Sequence, residues 1–135
     1  SKGYNMSIYD RADSIDAHLE NANRINRTNA SLIVALDLST SEKEDIFIAF
    51  TSAKKGRGRF LTIEEVTGQH VDKSMILAKD IAAAFNRNAK EIPLFSLLGV
   101  NMPGVFVSIA CTNERAEDMF IKLHQGVQNF MKRGQ

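Results

Sequence analysis

Four cations stand within six residues at Lys54-Lys55-Gly56-Arg57-Gly58-Arg59, and Phe60 follows at once. The two glycines let the backbone bend sharply and approach a ligand closely. Arginine presents a planar fork that matches phosphate oxygens, and lysine a compact charge beside it. Phe60 adds an aromatic face on which a base can stack. Lys54, Lys55, Arg57, Arg59 and Phe60 therefore form the candidate binding site, for nucleic acid or another polyanion. The bland alternative is a solvated turn whose charges discourage edge-to-edge pairing.

The remaining reactive side chains are scattered. Cys111 closes a predicted strand just before a helix N-terminus, where the helix dipole favours a thiolate. A cysteine ending an apolar strand is more often a small buried hydrophobe. His18, His70 and His124 share no short metal-ligand spacing. Glu64 and Glu65 are adjacent on a predicted strand and so face opposite ways, which prevents joint chelation without a bulge. No glycine-rich phosphate loop, HExxH, Gly-x-Ser-x-Gly or CxxC is present. The expectation is accordingly no catalytic residue, no metal and no cofactor, hence a non-enzymatic protein, with a small enzyme using Cys111 or a histidine–carboxylate pair as a further alternative.

Whatever positions these residues is small. The chain has 135 residues, 44% hydrophobic and 24% charged, in the range of one ordinary domain. A net charge of +1 excludes a globally basic nucleic-acid coat and an acidic solvating tail. A single cysteine forms no internal disulfide. Neither a long apolar span nor a signal-peptide layout is visible, which makes the cytoplasm the expected location. Residues 1–9 read as a flexible leader or cloning scar, and 10–135 as a single domain.

The elements follow from periodicity. Ile8, Ala12, Ile15, Leu19 and Ala22 recur at helical steps, predicting a helix from about Asp10 to Thr28. Three strand-like runs come next, at Ser31–Ser39, Asp45–Ser52 and Arg59–Thr67. Their short connections predict an antiparallel meander. A second helix is predicted from Asp72, as N-cap, to about Asn88, before Pro93. Leu94–Val100 and Val105–Cys111 flank Met102-Pro103-Gly104 and read as a hairpin closed by a type II turn. Ala116, Met119, Phe120, Leu123, Val127 and Phe130 mark a last helix, capped by Asn113.

The whole predicts an α+β two-layer sandwich: helix, three antiparallel strands, helix, β-hairpin, helix, with the helices on one face of the sheet. The run IFIAF is apolar on both alternating faces, which asks for cover on both sides. A homodimer meets that need, with Phe47, Ala49, Phe120 and Phe130 as interface candidates.

Over Asp10–Asn88 the order helix–three strands–helix resembles a double-stranded RNA-binding domain, although the second helix begins Asp72-Lys73-Ser74 without a lysine pair. The full order resembles the small dimeric chaperones of type III secretion effectors. The functional expectation is a binding module contacting nucleic acid through the 54–60 hairpin. The alternative is a dimeric protein-binding adaptor, or secretion-chaperone-like protein, using an apolar sheet face; no membrane partner is expected.

Overall fold

The computed structural model describes residues 14–28, 30–51, 70–92 and 100–133. They form three helices and a four-stranded mixed sheet: α1 (Ile15–Arg27), β1 (Ile33–Thr40), β2 (Asp45–Thr51), α2 (Val71–Ala84), β3 (Lys90–Ile92), β4 (Gly104–Cys111) and α3 (Asn113–Arg133). The α+β class agrees with the patterning. The strand arrangement does not.

The sheet runs β1-β4-β2-β3. β1 and β4 are parallel, in register from Ile33↔Gly104 to Thr40↔Cys111. β4 and β2 are antiparallel, with Ile48 opposite Val107, and β2 and β3 are parallel around α2. The expected meander is thus corrected, because β4 inserts between β1 and β2. Residues 41–44 join the two; extended, they reach about 13 Å. That suffices to step over one strand at about 4.8 Å per spacing.

Composition explains why β4 takes the central place. Val105, Val107 and Ile109 are buried on one face, while Phe106, Ser108 and Ala110 are half-buried on the other. A strand covered on both sides belongs in the middle of a sheet. The expected hairpin partner, 94–100, is not a described strand: residues 93–99 lie outside the described residues, and Val100 is buried outside any strand. The expected strand 59–67 also lies outside them.

One face of the sheet carries the main core. Ile46, Ile48 and Phe50 of β2 meet Val105, Val107 and Ile109 of β4 under Leu77, Ala78, Ile81 and Phe85 of α2, with Met119 of α3 completing the cluster. A second cluster joins Ala22 and Ile25 of α1 to Val100, Met102 and Ile33. Ile33 alternates with Val34, which belongs to the main core, so α1 serves the opposite side of the sheet. The expectation of helices on a single face is corrected accordingly. Cover on both sides of IFIAF is found: Ile46, Ile48 and Phe50 are buried on one face, Ala49 on the other, with Phe47 half-buried there.

Local chemistry sets the helix ends. Ser14 caps α1 by accepting from the Ala17 amide at 3.1 Å, and the Thr28 hydroxyl closes it by donating to the Ile25 carbonyl. The N-cap of α2 lies two residues earlier than expected, at His70, and Asp72 sits inside the first turn. It also ends earlier. Asn86 adopts φ 57°, the Arg87 amide donates to the Ala82 carbonyl and the Asn86 amide to that of Ala83. This pair of bonds around a left-handed residue is a Schellman stop, so the cations beyond it never join the helix.

Candidate functional site

Strands β1 and β4 point the same way and end together at Thr40 and Cys111. The Ser41 amide donates to the Cys111 carbonyl at 2.9 Å, extending the pairing one step into the loop. After a single residue, Thr112, the chain turns into α3. The carboxyl ends of two parallel strands and the N-terminus of a long helix therefore converge, the usual position of ligand sites in sheets with parallel strands.

A groove of about 180 Å³ lies at this point, between the end of β1 and the first turns of α3. Leu38, Ile109, Met119 and Phe120 supply its apolar lining, and Thr40, Thr112 and Asn113 its polar groups. It is smaller than the roughly 300–1,000 Å³ of pockets that enclose a whole small ligand. Such a groove accommodates one side chain or a small acyl group while the remainder of the ligand lies outside.

An ion-pair cluster braces the groove. Arg115 donates to Glu44 at 3.0 Å and to Asp118 at 2.8 Å, tying the β1–β2 turn to the start of α3. The hydrogen bond to Glu44, then its charge, raises the Arg115 guanidinium above its ordinary range. Arg115 therefore acts here as a fixed cation that holds two elements together.

The other candidate residues stay apart. Cys111 is buried at the groove, and among the described residues neither a histidine nor a carboxylate lines the groove beside it. His18 is buried on α1, and His124 is half-buried on α3. His70 Nε2 contacts Asn101 Oδ1 at 2.9 Å, and the Asn101 amide donates to Asn26 Oδ1 at 2.7 Å. That chain links α1 to the start of α2. Among the described residues no three His, Cys, Asp or Glu side chains converge in a metal-binding group.

Lys54, Lys55, Arg57, Arg59 and Phe60, together with Glu64 and Glu65, lie outside the described residues. Of the interface candidates, Ala49 is fully buried and Phe47 packs edge-on against Phe106 with ring centroids 6.3 Å apart. Phe130 packs on the main core, and Phe120 is exposed at the groove. The groove itself was missed by sequence reasoning. Its residues come from segments some 70 positions apart, and they meet only through the parallel β1–β4 pairing.

Among the described residues, no helix is long and apolar enough to cross a membrane. No known family model matches the chain, and no characterised protein matches it by sequence. Solved structures do match by fold. One is the structure of the CwlD amidase from Clostridioides difficile in complex with the GerS lipoprotein. The match there has a TM-score of 0.58 and 17% identity, over 97% of this chain and 73% of that one. Another is the N-acetylmuramoyl-L-alanine amidase from Clostridium difficile 630, with a TM-score of 0.53, 14% identity, and coverage of 89% of this chain and 64% of that one.

These likenesses overturn the expectation of a nucleic-acid-binding module and that of a non-enzymatic fold. The resemblances to RNA-binding domains and secretion chaperones rested on an order of consecutive strands that the sheet does not have. Over 97% and 89% of its length, respectively, the chain shares its fold with these two structures.

Proposed function

We propose that the chain is a cell-wall amidase-type domain whose ligand is the amide-linked junction between a muramoyl group and a peptide. The observation that carries this reading is the fold likeness over 97% of the chain. The position of the groove, at the carboxyl ends of the parallel strands, adds to it.

Hydrolysing such an amide means adding water to the carbonyl carbon, breaking the C–N bond and protonating the departing amine. The described groove residues do the binding part of that task. The hydroxyls of Thr40 and Thr112 and the amide of Asn113 match the donors and acceptors of a peptide group. Leu38, Met119 and Phe120 suit a small side chain such as the methyl of alanine. Among the described residues the groove is lined by no base and no metal-ligand set, and the role assigned to these side chains is to orient the amide.

The test is incubation with purified peptidoglycan and with a synthetic muramoyl-L-alanyl peptide. Two readouts apply: co-sedimentation with the insoluble wall, and release of a new alanine amino group. Saturable co-sedimentation that falls about tenfold in Asn113→Ala, a loss of about 1.4 kcal/mol, is the expected result. Background-level sedimentation together with no released amine would overturn the assignment.

A further inference from the structure

Residues paired in register share a face of the sheet, yet burial changes abruptly at β1. Val107 and Ile109 are 0% and 1% exposed, whereas their register partners Leu36 and Leu38 are 40% and 52% exposed. Residues 36–40 are all exposed, although β1 pairs with β4 along its full length. The helical layer therefore stops one strand short of the edge. On its near side stands Phe120 of α3, itself 43% exposed. Among the described strands, none pairs with the outer edge of β1.

We propose that this edge docks an extended segment of a partner protein reading apolar–cationic–apolar. An added strand sits about 4.8 Å from β1 and presents alternate side chains to each face. On the helix face, its apolar residues would cover Leu36 and Leu38 and reach the groove beside Phe120. Between them, on the other face, Asp37 is the sole charge of β1. Cross-strand pairing of opposite charges is favourable, so a lysine or arginine belongs opposite it.

A second copy of the chain fits less well. The antiparallel register that sets Leu36 against Leu38 of another copy also sets Asp37 directly against Asp37. Like charges at that position are destabilising. This surface shares Leu38 with the groove, but recognition through the backbone edge and Asp37 does not require the groove to bind an amide.

The experiment uses the full chain and two blocked pentapeptides, acetyl-Thr-Val-Lys-Val-Thr-amide and its counterpart with glutamate in place of lysine. Backbone amide shifts are followed by NMR titration to millimolar peptide, with no cell-wall material present. Shifts confined to residues 34–40, with the lysine peptide about threefold tighter, are expected from a single cross-strand charge pair. Asp37→Lys, an exposed substitution, should reverse the preference, and Leu38→Thr should weaken both peptides. The proposal fails if the β1 amides do not move, or if Asp37→Lys leaves the preference unchanged. It also fails if the chain forms a concentration-dependent dimer that Leu38→Lys dissolves, since the edge would then belong to a second copy.

Discussion

Gly126 of α3 lies so close to Ile81 of α2 that a Cβ at position 126 would stand 2.5 Å from the Ile81 Cα and 3.1 Å from the Asp80 carbonyl oxygen. Both contacts are with backbone, which cannot rotate away. A glycine inside a helix ordinarily costs about 1 kcal/mol relative to alanine. Here that cost is offset by a close helix crossing that no other residue permits. Gly126→Ala must push the helices apart and disturb Leu77, Ile81 and Met119 beneath them. A loss of about 1–3 kcal/mol is expected, as for other overpacked cores, read from urea midpoints at unchanged slope.

The same crossing is fastened at its end by Arg133, which donates from Nε and from a terminal nitrogen to the two carboxylate oxygens of Asp80, both at 2.8 Å. Asp80 is buried while Arg133 is largely exposed. Removing the arginine leaves a buried carboxylate without its partner, so Arg133→Ala should destabilise more than Arg133→Ala does in an Asp80→Asn background. Arg133→Lys should recover only part of the loss, because it keeps the charge but not the fork. The hydrogen bond to Asp80 raises the Arg133 guanidinium above its ordinary value. Its contribution is therefore complete below the unfolded-state value and fades only in strong alkali. Between about pH 5 and 9, arginine titration should leave the Arg133→Ala difference unchanged. A double-mutant cycle at several pH values checks both statements.

How far the sequence reaches depends on how local each determinant is. All three helices were legible from apolar spacing, to within a few residues at most ends. The ends that moved did so for local reasons: Ser14 caps α1, and Asn86 stops α2 by entering the left-handed region. The sheet order was not legible, because short connections suggest neighbours while the β1–β4 pairing spans the chain. A clue was present in Val105–Cys111, apolar enough on both faces to be central. The groove could not be assembled before that pairing was known, since Leu38 and Asn113 mean nothing together until β1 and β4 lie side by side.

Ser74 shows how a buried polar residue earns its place in a helix that otherwise buries apolar groups. Its hydroxyl accepts from the Gly104 amide at 2.9 Å and the residue is 1% exposed. That bond fixes the first residue of β4 against α2. Ser74→Ala should strand the Gly104 amide in the core and cost about 1–3 kcal/mol. The exposed Ser39→Ala, on the same measurement, should stay within about 0.5 kcal/mol of the parent.

Asn86 provides the sharpest test of a backbone argument. At φ 57° a side chain with a Cβ is strained, and asparagine tolerates the region better than most residues. The position is exposed, so substitutions there change conformation without disturbing the core. Asn86→Ala should cost about 1 kcal/mol, while Asn86→Gly should equal or exceed the parent in stability. Loss in both variants would mean that the asparagine side chain matters more than the turn. Equal stability in both would mean that the Schellman stop does not govern where α2 ends, and that the step into β3 is held from the strand side instead.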